Sequence, residues 1–586
     1  MKQNSVIDFL KKHTAEWIIL AVTFAVFAQS LSFDFLTDWD DSAYVVHNPY
    51  LTFSWENIVH CFTTDTIGLL TPLTSFSFML DHLIWQTREA AFGYRLTNLL
   101  LHAGCALLLL NILKRLGIRT ALACFCVLLW VIHPQRLESV VWISERKDVL
   151  SGFFALASFL IFMKAPGKWK NILGAVLLFL LSLLAKPSAI GLPLAACVYL
   201  CYINPEKFNW KYIFAGIAGM SGIVLLLCWF LNIYPDFIPM PRLLSVFSHN
   251  ALFYFTNGII PWETNPCYPY VDWHDFWLIP ATAGIIAAIL FFGRKAGMSW
   301  KWLGMYFLAA GLVFCAMFAP FTGAFRFNPT DYADRYSYFP NLAVWTFLGY
   351  FLEQLFRKKE NLIPGFRIIG IVLIICSAAA TLWYQPFWKD SQTLARWAVY
   401  SYELPNDKFL MHHVKTGFIT QDPTPIEEAL VVLRKKQQIP DIPRDDERYR
   451  TGRNCTIDML EIAVEILKTN FDQAVIEYDQ FALNNKKILL LEKHLYEGQL
   501  KYLIMQLFII KKDEQRLAHF ETWGKTTTDR YGNVSQDYNI TAALKFYKKD
   551  YQGAIEDWKV LLKTNPGDPD ILANIRIAED KMKQTR

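Results

Sequence analysis

Charge is scarce in this chain. Asp, Glu, Lys and Arg make up 19% of its 586 residues, against roughly 25% in soluble globular proteins. With 54% hydrophobic residues, 45 Phe and 20 Trp, that shortfall excludes a disordered chain and argues against a purely soluble enzyme. The net charge is only +5. No Lys/Arg run marks a track for a phosphate backbone, so nucleic acid is not an expected partner. Cysteine lacks any framework. The eleven residues are spread singly, mostly inside apolar stretches, and the closest pair is Cys124 and Cys126. No zinc-ligand or disulfide spacing appears.

The apolar residues come in blocks. Up to about residue 384 these are long enough to cross a bilayer, which takes about 20 apolar residues. Eleven spans are expected, beginning at Glu16, Tyr94, Ile118, Lys147, Lys170, Pro187, Tyr212, Phe276, Lys301, Tyr336 and Arg367. The block ending near His133 is short, which suits a tilted or partly re-entrant segment. The first block has no small-residue cleavage site and reads as an uncleaved anchor.

Orientation follows from the basic residues. The amino terminus carries Lys2, Lys11 and Lys12. Every second gap between spans is basic: Lys114 to Arg119, Lys164 to Lys170, Lys207 and Lys211, Arg294 to Lys301, and Arg357 to Arg367. These gaps share the cytoplasmic side with the amino terminus. Eleven spans then leave the carboxy-terminal region outside the cytoplasm.

That region differs in kind. The expected division is 1–384 for the membrane domain, 385–453 for a linker or lid rich in Pro and charge, and 454–586 for a helical repeat domain. Its clearest unit runs Ala542, Phe546, Ala554, Trp558, Pro566. Small residues let two antiparallel helices approach, an aromatic fills the groove, and Pro ends the second helix, as in a tetratricopeptide repeat. Fainter copies surround Ala474 and Arg516. A generic helical hairpin bundle is the plainer reading. Either surface suits protein contact.

Polar residues crowd the outer ends of the spans. Asp34, Asp38, Asp40 and Asp41 lie within eight residues just past the first span. Carboxylates there are expensive to keep near lipid. Asp38-Trp39-Asp40 spells the D-x-D of soluble nucleotide-sugar transferases, but no strand–loop–helix surrounds it, and nucleotide sugars are scarce outside the cytoplasm. Later outer loops hold His133, Arg136 and Glu138, then Glu145, Arg146, Lys147 and Asp148, then Lys186, then Asp334 and Arg335. Cations on the outer side break the sidedness rule, and a fixed anion such as a lipid phosphate explains them. The plainer alternatives are a hydrated acidic loop and local ion pairs. Asn98 and His102, four residues apart, share a helix face and suit buried interhelical hydrogen bonds. The aromatic stretch from His249 to Asp275 suits a membrane-surface segment, or a wall of a lipid-carrier groove.

Five stretches together resemble the membrane O-mannosyltransferases that carry tetratricopeptide repeats, and their bacterial relatives. They are Asp38 to Val45 with Asn48-Pro49; Pro72-Leu73-Thr74 leading to Asn98 and His102; His133-Pro134 through Glu138 to the run Glu145–Ser151; Lys186-Pro187; and Asp334-Arg335-Tyr336. The Asp40-Asp41 pair and Glu145–Ser151 are the most specific. The resemblance implies an all-α polytopic fold of about 11 transmembrane helices, the GT-C type, followed by helical repeats. It implies a donor sugar on a polyprenyl phosphate and a protein or glycan hydroxyl as acceptor. It implies an acidic base in the first outer loop. By position this is Asp40, with Asp41 as its neighbour or an acceptor-orienting group. Lys186, Arg146, Lys147, Arg335 and Arg136 are then the candidates for the donor phosphate. Asp38, His133, Glu138, Glu145 and Asp334 support them. Asp38, Asp40 and Asp41 offer hard oxygen ligands, but no other ligand spacing accompanies them, and the family does not generally need a metal. No metal and no cofactor are expected.

The chain departs from the family at Thr71, where a basic residue is usual, and at Arg136 and Arg95, where His is common. These changes fit a different sugar or carrier. The short repeat region points to a bacterial inner membrane. The competing reading is a non-enzymatic scaffold or lipid-glycan transporter. Charges scattered through span centres would favour a transporter, whereas here they gather at one face.

Overall fold

A computed structural model describes residues 12–37, 39–67, 70–87, 90–203, 210–230, 240–261, 264–265, 268, 278–318, 332–401, 422–437, 538–564 and 569–585, with scattered positions between 410 and 535. Among them the fold is helical, apart from a two-residue antiparallel ladder of Thr527–Thr528 with Val534–Ser535. The chain divides into two units, Met1–Leu394 and Ala395–Arg586.

The first unit opens with α1 (Thr14–Phe27), α2 (Trp55–Thr63), α3 (Pro72–Trp85), α4 (Phe92–Arg115), α5 (Thr120–Val131) and α6 (Leu137–Val141). There follow α7 (Arg146–Lys164), α8 (Trp169–Ala185), α9 (Leu192–Ile203), α10 (Trp210–Phe230) and α11 (Met240–Asn257). It closes with α12 (Leu278–Lys295), α13 (Trp300–Phe318), α14 (Tyr338–Lys358) and α15 (Ile363–Tyr384). Local chemistry sets the helix ends. Ser54 caps α2 by accepting from the Asn57 amide at 3.2 Å. Pro72 stands in the first turn of α3, where its missing N–H costs nothing. Past Lys114 and Arg115 at the end of α4, Gly117 takes φ +77.

Among the described residues, five helical stretches are long and apolar enough to span a membrane: Thr14–Ser32, Phe92–Arg115, Leu278–Lys295, Trp300–Phe318 and Glu360–Trp388. A sixth is added if α5 and the segment Pro134–Val141 count as one broken span, bent by 59°. Helices also lie at the other expected positions. Three of them fall outside this set because α7 opens on Arg146-Lys147-Asp148, and α8 and α9 have 17 and 12 residues. The bend is a proline effect. His133 accepts the Gln135 amide at 3.3 Å, and Pro134 has no N–H to continue α5. The chain therefore turns back into the protein and buries Gln135, Arg136, Glu138 and Ser139. α4 runs through the interior, burying Arg95, Asn98 and His102 on one side. It packs on α7, and α7 packs on α8.

α16 (Ser391–Ser401) runs across the division, and α17 (Thr424–Gln437) lies in the second unit. The stretch expected as a linker or lid thus contains a helix. Its Ile426, Ala429, Leu430 and Leu433 are buried in one core with Leu460, Ala463, Phe508 and Ile540. Helices α18 (Tyr538–Tyr547), α19 (Tyr551–Thr564) and α20 (Pro569–Thr585) form the carboxy-terminal end. Ala542, Ala554 and Trp558 are buried together with Ile575 and Ala578, and Phe546 packs against them. The small residues thus lie at a helix crossing. Pro566 and Arg516 fall outside the described residues, as do the neighbours of Ala474 at 471 and 478–481.

Gly191 fixes how the short turn after Lys186 seats on α13. A Cβ there would lie 2.5 Å from the Ala316 carbonyl carbon and oxygen, which are backbone atoms and cannot swing aside. Gly191→Ala is expected to destabilise the fold by about 1–3 kcal/mol. Gly284→Ala, with open space around it, serves as the control. Thermal melting of the detergent-solubilised protein reads both.

Candidate active site

The site is built on the turn between α6 and α7. Glu145 ends this turn, and three cations from different elements meet its carboxylate. Lys186, after α8, approaches Oε2 at 2.9 Å. Lys147, in the first turn of α7, approaches Oε1 at 3.3 Å. Arg335, before α14, brings Nε to 3.8 Å from Oε1. Burial opposes ionisation of Glu145, but Lys147, Lys186 and Arg335 outweigh it and hold the carboxyl below the usual range.

Further carboxylates complete the network. Lys186 also donates to Asp148 at 2.7 Å, and Asp148 accepts from Ser139 at 3.1 Å. The Arg335 amide donates to Glu138 at 2.8 Å, and its guanidinium pairs with the same carboxylate. Lys147 reaches Asp40 at 3.3 Å and lies over the Tyr44 ring, 5.2 Å from its centroid. The Arg335 guanidinium stands over Trp142 and Tyr336. Each ammonium has three donors and, among the described residues, spends two on these carboxylates.

The two aspartates of the loop after α1 separate sharply. Asp40 keeps 21% of its side chain exposed beside Lys147. Asp41 is fully buried. It accepts from the Leu36 amide at 2.9 Å, from the Ser144 amide at 2.9 Å, and from the Ser144 hydroxyl. Burial raises its pKa, and these hydrogen bonds offset that only in part. Asp41 therefore ties the first loop to the turn that bears Glu145, and Asp40 is left facing Lys147. Asp38 lies outside the described residues.

Not every expected cation arrives. Arg146 points away from the cluster, with no exposed surface. It pairs with Asp81 of α3, donates to Asn98 Oδ1 and the Tyr94 carbonyl at 2.7 Å each, and lies 4.3 Å from the Phe78 ring centroid. Arg136 is also fully buried, donating to Ser337 and lying over Trp130 and Tyr338. Both were expected at a donor phosphate, and neither has an open edge to offer one. The helical phase at the start of α7 turns Arg146 inward, and the proline bend buries Arg136. His133 is buried at the same bend. Asp334 turns from Arg335 and accepts from Tyr268 at 2.9 Å and the Asn265 amide at 3.2 Å. Its pKa rises well above the usual range through burial, with Glu138 adding to the effect.

The aromatic stretch packs inward where it is described. Tyr268 stacks on Tyr332, with centroids 4.6 Å apart, and His249 meets Tyr332 edge-on. Asn98 and His102 make the interhelical bonds expected of them. His102 bonds Tyr338 and the Val131 carbonyl, each at 2.9 Å. Asp81 is the residue that sequence reasoning missed. The signal was present: a lone acid in an apolar helix needs a partner.

No protein-family model matches the chain. Among curated proteins it is similar to Protein O-mannosyl-transferase TMTC3 of Homo sapiens, 29% identical over 137 residues, covering 22% of this chain and 15% of the relative. Protein O-mannosyl-transferase TMTC4 of Homo sapiens is 26% identical over 176 residues, 26% of this chain and 23% of the relative. Protein O-mannosyl-transferase tmtc2 of Xenopus laevis is 33% identical over 162 residues, 26% of this chain and 18% of the relative. The chain matches less than a quarter of the length of each of these relatives. These relatives carry the name of the same kind of protein that the sequence motifs resemble.

Asp41→Ala is expected to cost about 2–4 kcal/mol, because it strands buried donors of Leu36 and Ser144. Asp40→Asn is expected to cost less than about 1 kcal/mol, since that pair is partly solvated. Thermal melts of the two variants side by side check the contrast.

Proposed function

We propose that the chain is an integral-membrane glycosyltransferase that moves a mannose-like sugar from a polyprenyl phosphate to a hydroxyl of a protein or glycan. The observation that carries the reading is the placement of a partly exposed carboxylate, Asp40, against a cluster of three cations focused on Glu145. The names of the similar proteins support the sugar and the acceptor chemistry.

In this reading Asp40 takes the proton of the acceptor hydroxyl as its oxygen attacks the anomeric carbon. A positioned base contributes roughly 10²–10⁴-fold. The bond from the anomeric carbon to the phosphate oxygen breaks, and its electron pair leaves with the polyprenyl phosphate. Lys186, Lys147 and Arg335 stabilise that gathering charge, using the donors not spent on carboxylates. A single displacement inverts the anomeric centre. The reaction takes place on the extracytoplasmic face of a bacterial inner membrane, with the amino terminus cytoplasmic and the carboxy-terminal unit outside. That unit, read as degenerate tetratricopeptide repeats, recruits or orients the acceptor. Membrane lipids are a further partner.

The test is transfer from a polyprenyl-phosphate mannose to Ser/Thr peptides by the purified protein, read by mass spectrometry. Asp40→Asn is expected to lower kcat by roughly 10²–10⁴-fold with the donor KM little changed. Lys186→Met is expected to lower kcat as well. Undiminished transfer in Asp40→Asn removes the base assignment. No transfer by the wild type from any polyprenyl-phosphate sugar removes the enzyme.

A further inference from the structure

The turn that presents Glu145 is gripped from behind. Asn98, in the middle of α4, donates through Nδ2 to two successive carbonyls of the turn, Trp142 at 3.3 Å and Ile143 at 3.2 Å. Its Oδ1 accepts from Arg146 Nε at 2.7 Å. One amide therefore bridges both ends of the turn. Arg146 is held in turn by Asp81, whose other oxygen accepts from Thr97 at 2.8 Å. Asn98, Asp81 and Arg146 are all buried.

Helical geometry gives this grip a purpose. Successive side chains on a helix are about 100° apart. Residues 145, 147 and 148 then fall on one side and residue 146 on the other. Glu145, Lys147 and Asp148 are the members that meet Lys186 and Asp40. Arg146 is therefore a handle on the opposite face. Turning the helix by about 20°, at a radius of about 5–6 Å, moves those side-chain tips by about 2 Å. Misplacement by about 1 Å is enough to cost roughly 10²-fold in rate.

The geometry points to Asn98, with Asp81 and Arg146, as a set of positioning residues that fixes the rotation of the first turn of α7 and so registers Glu145 and Lys147 against Asp40. This rests on the transferase reading. None of the three touches the reacting groups; they act through the turn.

Asn98→Asp removes the donors to both carbonyls while keeping size. Asp81→Asn removes the charge that holds Arg146. Two readouts on the full-length protein test the proposal. The first is kcat and donor KM for transfer from a polyprenyl-phosphate mannose. The second needs no activity: labelling of Lys147 and Lys186 by an amine-reactive reagent, followed peptide by peptide, with Lys301 as reference. The expected result is a kcat lower by roughly 10²-fold with KM within about threefold, and labelling of Lys147 and Lys186 faster by about fivefold or more as their pairing loosens. Unchanged labelling and unchanged kcat per folded molecule in both variants overturn the proposal. So does loss of the fold in both, because the contacts then carry the helix bundle rather than the turn. If the wild type transfers no sugar, the transferase reading falls, and the labelling alone decides the positioning role.

Discussion

Ionised groups can be kept in a poorly hydrated site only if each meets an opposite charge. The charged cluster around Glu145 meets this condition by sharing. Glu145 serves Lys147, Lys186 and Arg335 together, while Asp40, Asp148 and Glu138 each take one of the same cations. Four carboxylates and three cations form one connected network. Moving any member changes the balance at all the others, so coupling across the site follows directly from its wiring.

The backbone around the network is held with similar redundancy. The turn before α7 is tied to the loop after α1 by Asp41 and to α4 by Asn98. Thr74 of α3 bonds the Ala185 carbonyl at 3.0 Å, just before Lys186. Arg335 is fixed by its own amide as well as by its side chain. Elements far apart in sequence therefore arrive through short polar fasteners rather than through apolar packing alone. Inside a membrane protein such bonds are a main means of specifying helix contacts.

Much of this was legible in the sequence, and the failures have physical causes. Long apolar blocks announce helices because their backbone groups must be satisfied internally. Cations in the gaps between the regularly basic ones announce a cluster because they depart from the charge alternation along the sequence. What a linear sequence hides is rotation. Arg146 and Lys147 are neighbours with equal charge, yet about 100° of helical phase sends one to Asp81 and the other to Asp40. Asp40 and Asp41 divide in the same way, one partly exposed and one buried. The helix α17 was missed for a different reason. Ile426, Ala429, Leu430 and Leu433 follow a helical period, but the proline and charge on both sides gave the stretch the composition of a connector.

The departures from the family motif fall into the same pattern. Arg95 donates to the carbonyls of Phe33, Asp34 and Val141, so it fastens the first loop to α4 and α6. Thr71 bonds the Tyr44 hydroxyl at 3.0 Å, beneath the ring that Lys147 overlies. Arg136 fills a buried aromatic corner between Trp130 and Tyr338. None of the three pairs with Glu145, Asp148 or Asp40. The changes therefore fall on the supports of the site, and the charged network is kept whole. A change of support alters the shape of the space around a network more readily than its charge. In the proposed transferase these positions would bear on which sugar or carrier fits, and the groups that meet at Glu145 on the reaction itself.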